Sequence, residues 1–140
     1  MSKTAEEVLK YDYVQMWESQ VENFKKSHFM GQGQLVLTNR KLVFVKFGMS
    51  DMLVKAGAKY ATSEKLAEGL AKKGSFAIPI GEITDARATT HMMDPALLVK
   101  REGDFGTKWY RVTPSRKFDA LNRSFAQQLV TAITGVRSKI

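Results

Sequence analysis

Residues 31–47 read GQGQLVLTNRKLVFVKF. Residues 35–37 and 42–45 are aliphatic, β-branched or aromatic, the composition of strands. Thr38, Asn39, Arg40 and Lys41 make a tight polar break between them. Asn39 tolerates a left-handed backbone, and the Thr38 hydroxyl can bond the chain locally. The stretch is therefore predicted to be a β-hairpin. Arg40 and Lys41 are expected to keep its turn solvated, as part of a structural turn and not of a ligand site.

The pattern breaks downstream. Residues 48–75 are punctuated by Gly48, Gly57 and Gly74. Within them SEKLAEGLAKK, residues 63–73, predicts a short helix. Ser63 is its cap, and Glu68 and Lys72 stand at the i,i+4 spacing. Leu66 and Leu70 are its only apolar face, so it is expected on the surface of a long loop. Strand character returns at residues 76–80, FAIPI. Pro79 cannot donate to a ladder, which predicts an edge strand or a bulge. Residues 83–90 predict another strand. Residues 96–101 and 107–112 flank EGDFG, a hairpin signal with two glycines.

Thr113, Pro114 and Ser115 open a predicted helix, with proline in its favoured early place. Phe118, Leu121, Phe125, Leu129 and Ala132 fall at spacings of 3, 4, 4 and 3, with Ile133 beside them. Arg116, Arg123 and Gln127 lie opposite, so the helix is amphipathic, and Gly135 is its predicted stop. At the other end, Thr4 to Glu7 has the form of a capping box and predicts a short helix. Residues 8–18 fit either helix or strand, and residues 21–28 read as a half-buried strand. The expected class is mainly β (α+β): about seven strands, mostly antiparallel, with one closing helix.

A chain of 140 residues is one domain by length. Roughly two-thirds of its unfolded surface can be buried on folding, enough for a core without staples. There is no cysteine, which excludes disulfides and thiolate chemistry and fits a reducing compartment. The first residues lack an apolar signal core, and the longest aliphatic or aromatic run is residues 42–45, far short of a membrane span. A soluble, cytoplasmic protein is expected, with at most peripheral membrane contact. The net charge is +8, concentrated in residues 31–75 (+5) and 113–140 (+4). Such a balance suits nucleic acid, an anionic membrane or an acidic partner, and equally a merely soluble surface.

No catalytic arrangement is expected, nor a metal or cofactor. His28 and His91 are the only histidines and lack ligand spacing. No serine sits in a Gly-x-Ser-x-Gly elbow, and Gly31-Gln32-Gly33 lacks the spacing of a phosphate loop. Asn122-Arg123-Ser124 spells a glycosylation sequon inside the predicted helix and is discounted. Trp109-Tyr110-Arg111 brings aromatic and basic residues together, as a nucleic-acid stacking surface does. Strand alternation does not present Trp109 and Tyr110 together, which makes nucleic acid the weaker reading.

Residues 33–44, GQLVLTNRKLVF, resemble the signature of GRAM and related bacterial pleckstrin-homology-like domains: glycine, an apolar strand, Thr-Asn-basic-basic, then Leu-apolar-Phe. Residues 76–83, FAIPIGEI, are similar to that family's apolar-x-Ile-Pro-Leu-x-x-Ile element. The likeness runs over residues 21–135. It implies a seven-stranded, partly open antiparallel barrel capped by the C-terminal helix, with a helical insertion after the third strand. The implied layout is one domain over 1–140, with an N-terminal extension at 1–20, an insertion at 48–75 and the closing helix at 115–135.

In that fold the loops after the first, third and sixth strands cluster at the open end, here near residues 26–33, 48–75 and 102–106. Lys25 and Lys26, Lys46 and Lys55, and Arg101 and Lys108 flank them and are the candidate lipid or anion ligands. Phe29, Met30, Met49, Met52, Leu53 and Phe105 would be apolar tips. The resemblance implies a non-enzymatic module at an anionic phospholipid surface or on a protein partner. Each basic residue adds about 1 kcal/mol at such a surface. Lipid-binding members also carry a basic-x-Arg pair in the second strand, whereas Gln34 and Val36 supply none. The first alternative is a protein scaffold that docks its partner at the sheet edge near Pro79 or on the insertion. The second is a basic nucleic-acid-binding barrel.

Overall fold

The computed structural model describes residues 6–22, 24, 26–48, 63–114 and 124–139. Seven strands form one sheet: β1 (Val8–Ser19), β2 (Ser27–Thr38), β3 (Lys41–Lys46), β4 (Phe76–Pro79), β5 (Ile83–His91), β6 (Asp94–Gly103) and β7 (Gly106–Pro114). Their order is β4-β3-β2-β1-β7-β6-β5, and every neighbouring pair is antiparallel. Helix α1 (Ser63–Leu70) lies between β3 and β4, a 3₁₀ turn (Ile80–Glu82) joins β4 to β5, and helix α2 (Phe125–Arg137) closes the chain.

The 31–47 stretch forms the predicted hairpin, and its turn is held from three sides. The Thr38 hydroxyl is buried; it accepts from the Arg40 and Lys41 amides at 3.1 and 3.0 Å and donates to Glu6 Oε2 at 2.8 Å. Asn39 exchanges bonds with Glu7, its Oδ1 accepting from the Glu7 amide at 2.9 Å and its own amide donating to the Glu7 carbonyl at 3.1 Å. Lys41 Nζ stands 3.4 Å from Glu6, and the Ile80 amide donates to the Arg40 carbonyl. The turn is structural, as expected.

Both faces of this hairpin are covered, which explains its unbroken apolar run. Leu35, Leu37, Leu42 and Phe44 face the main core, whereas Val36, Val43 and Val45 form a second cluster with Phe47 and Leu66. Leu66 is 2% exposed, so α1 is docked on the outer face of β2 and β3 and not merely carried by a loop. A Cβ on Gly33 would stand 2.0 Å from the Val45 carbonyl oxygen, so only glycine allows β2 and β3 to approach this closely.

The main core is closed by α2 through Phe125, Ala126, Leu129, Ile133 and Val136, packed against β5, β6 and the 3₁₀ turn. Phe118, Leu121 and the other positions of the predicted helix before Ser124 lie outside the described residues. Gly135 does not end the helix. It is exposed with open space around its Cα, and the chain stays helical to Arg137, where the Ser138 amide caps back to the Thr134 carbonyl. Pro114 is the last residue of β7, and the positions directly after it lie outside the described residues.

Residues 1–20, expected as an extension, supply the central strand from Val8 to Ser19. Lys10 and Asp12 share a face with Val14 and Met16 by the two-residue period, and they pair with each other at 3.3 Å. Residues 9–13 alternate as a strand does, but the polar pair lies on the core-facing side, so the apolar face changes sides at Tyr13 and Val14 and no single period runs through residues 8–18. The half-buried strand expected at 21–28 is also corrected: β2 starts at Ser27, and the chain before it turns through Phe24, whose φ is 54°. The expected edge strand at Pro79 is the sheet edge β4, and the hairpin around residues 102–106 is β6–β7.

Candidate functional site

β1, β3 and β6 all run towards one end of the sheet, so the connections after them leave at that end. The first connection spans residues 20–26, earlier than the expected 26–33, which places Phe29 and Met30 within β2 and not at a loop tip. Lys26 is exposed here, and its carbonyl accepts from the Ser19 hydroxyl at 3.4 Å. Lys46 ends β3, its stem lying against Gly31 and Gly74, where an added Cβ would meet Lys46 carbons at 2.9 and 2.6 Å. Lys25 and Lys55 lie outside the described residues, as do Met49, Met52 and Leu53.

The remaining two candidates are not free. Arg101 Nε stands 2.8 Å from Glu82 Oε1, and its guanidinium also bonds the Tyr110 side chain. Lys108 Nζ stands 3.5 Å from Glu18. Both flank the Phe105 ring, at 4.6 and 5.6 Å from its centroid. Burial pushes the Tyr110 phenol above its ordinary pKa, against the pull of Arg101. The open end thus presents Lys26, Lys46 and the half-exposed Phe105, while Arg101 and Lys108 are balanced by carboxylates of their own chain.

The outer face of the sheet holds a cluster that the sequence reading did not assemble. One register row runs Phe29, Trp17, Arg111, Leu98, Arg87 across β2, β1, β7, β6 and β5. Phe24 folds back onto it, packing with Leu98 and Trp109, and its left-handed backbone is held by its amide bonding the Val21 carbonyl at 3.2 Å. Arg111 packs against two rings, 5.0 Å from the Trp17 centroid and 4.8 Å from that of Phe24. Its Nε is buried and has no hydrogen-bond partner; an unmatched buried donor costs about 1–3 kcal/mol.

Neighbouring cations are placed differently. Arg87 pairs with Glu22 and, at 3.1 Å, with Asp85, and with Lys100 it flanks Trp109 at 5.7 and 5.5 Å. Trp109 is only 8% exposed, and Tyr110 faces the core on the opposite side, so neither offers a ring face to a base. His91 packs on Trp17 at 5.2 Å. Burial, then the Arg111 charge, hold its imidazole below the ordinary pKa, with Asp94 acting the other way. Met92 and Met93 follow at the β5–β6 tip with φ of 49° and 72°, and they are 84% and 90% exposed.

No protein-family model matches the chain, and no curated protein matches it in sequence. Among solved structures it is similar to the Ran binding domain of the nuclear complex component Nup2 from Ashbya gossypii. The TM-score is 0.58 and the identity 11%, over 95% of this chain and 96% of that one. The fold is pleckstrin-homology-like. A C-terminal domain of an unknown protein from Leishmania infantum aligns at TM-score 0.49 and 15% identity, over 95% of this chain and 85% of that one.

In this pleckstrin-homology-like barrel the two sheet edges differ. β4 has four residues and ends at Pro79, whereas β5 has nine. No strand lies beyond β5 among the described residues. Between β5 and α2 runs a groove lined by Ala88, Thr89, Thr90, Met93, Pro95, Ala126 and Gln127. Among the described residues no three acidic or histidine side chains group as a metal site, and no helix is long and apolar enough to cross a membrane.

Proposed function

We propose that this barrel is a non-catalytic protein-binding module that pairs an extended partner segment with the outer edge of β5, over the β5–α2 groove. The observation that carries this reading is the edge itself. Nine residues of strand end the sheet there; the bulge and the charges that guard a free edge are confined to its start, at Ile83 to Arg87, and residues 88–90 are uncharged and free of proline. Strand addition draws its affinity from such unpaired main-chain groups and its selectivity from side-chain pockets beside them. The structural neighbour named for binding Ran accords with a protein partner. The Thr-Asn-Arg-Lys turn and the Ile-Pro-Ile strand favour the GRAM-like branch of the fold.

The test is a peptide selection on the full chain, followed by edge-blocking variants. Adjacent amides in a strand point to opposite sides, so of Ala88→Pro and Thr89→Pro one removes an outward donor and spares the β6 ladder. That variant is expected to stay folded and lose at least about tenfold in affinity for the selected peptides. Unchanged affinity in a folded variant of each kind would overturn the reading.

A second reading, contact of the open end with anionic lipid, is favoured by Phe105 at the β6–β7 tip and by the exposed Lys26 and Lys46. Lys25 and Lys55 are its further candidates. Co-sedimentation with phosphatidylserine vesicles should then weaken with salt, and more on Lys26→Glu with Lys46→Glu than on Arg40→Glu. No binding at low salt would end it.

A further inference from the structure

We propose that Arg111 is a carboxylate clamp on the outer face of the sheet, taking an acidic side chain of a partner protein, with Phe29 and Met92 as its apolar rim. This site is separate from the β5 edge and stands or falls independently of it.

Two rings pack against the guanidinium, Trp17 at 5.0 Å and Phe24 at 4.8 Å. Nε is buried beneath the surface, so the Nη end of this half-buried side chain is what a partner can reach, and no carboxylate meets the guanidinium among the described residues. A guanidinium packed by two rings, with no acidic partner of its own among the described residues, suits end-on bidentate pairing of its Nη groups with a planar carboxylate. The surroundings favour a single negative charge over a polyanion. Arg87 is already paired with Glu22 and Asp85, and Asp94 acts on the adjoining His91, so acidic groups border the site. A multiply charged phosphate would meet repulsion there.

The rim points to a protein. Phe29 is half-exposed beside Trp17, with ring centroids 5.2 Å apart. Next to His91, Met92 and Met93 hold left-handed backbones that non-glycine residues adopt at a cost, and they gain almost no burial in the free chain. Adaptable, exposed methionines are a feature of peptide-binding surfaces.

The experiment titrates the ¹⁵N-labelled full chain with the blocked pentapeptide acetyl-Ala-Leu-Glu-Phe-Ala-amide and with its analogue carrying glutamine for glutamate. The glutamate peptide is expected to shift the Arg111 Nε–H and the Trp17 indole resonance saturably at millimolar concentration. The analogue should bind roughly tenfold more weakly. Arg111→Lys keeps the charge but loses the fork and should weaken binding similarly; Arg111→Met should abolish it, while Lys139→Glu leaves it unchanged. Equal binding of the two peptides, wild-type binding by a folded Arg111→Lys variant, or no saturable shift would overturn the proposal. So would tighter binding of inorganic phosphate at the same resonances, which would make this a phosphate site.

Discussion

At the scale of the residue, two glycines show that context decides what the residue is for. Gly33 meets the Val45 carbonyl where its Cβ would be. Gly33→Ala should therefore cost about 3 kcal/mol, because backbone cannot step aside as a side chain can. Gly135 faces open space in the last turn of α2. Gly135→Ala should stabilise by about 0.5–1 kcal/mol, since alanine loses less chain entropy in a helix. Urea denaturation of the two variants checks both signs. His91 supplies a pH test. Its pKa is lowered from the ordinary 6.5 in the folded chain, so below that value the unfolded state binds the proton more readily. Stability should fall as pH drops below about 6.5, down to the folded pKa, and His91→Asn should flatten that part of the profile relative to wild type. An identical profile in wild type and variant would contradict the packing of His91 on Trp17 beside Arg111.

At the scale of the element, the β2–β3 hairpin and the face of α2 were legible because each carries its own period. The hairpin's turn also had a chemical signature, and its central member can be tested. Thr38→Val should cost about 2 kcal/mol, because the Arg40 and Lys41 amides lose their buried acceptor, while Thr38→Ser keeps most of it. Thermal melts of the two variants separate the hydroxyl from the methyl group. β1 was not legible, because the Lys10–Asp12 pair interrupts its core face. The outer-face cluster was hidden for a different reason. Phe29, Trp17 and Arg111 become neighbours only through the β2–β1–β7 register, and Phe24 joins them through a left-handed turn that an aromatic residue does not advertise. Of the open-end lysines and arginines, the sequence showed positions and signs. It could not show that Glu82 and Glu18, distant along the chain, neutralise Arg101 and Lys108.

At the scale of the whole molecule, the described residues of the seven-stranded barrel and its closing helix present a long strand edge, a groove beside it and an aromatic face with a guanidinium that no acidic side chain among them pairs. The edge and the groove lie on β5, whereas the aromatic face spans β1, β7 and β6 and takes in Phe24 of the connection at the open end. The central claim is that β5 takes a partner strand, and main-chain hydrogen exchange of the full chain with and without a selected peptide tests it most directly. New hydrogen bonds along the edge should slow alternate amides of residues 84–90, the outward-pointing set, while those already in the β6 ladder change little. Protection confined to residues 20–26 and 104–105, with β5 unchanged, would contradict it and return the binding surface to the open end.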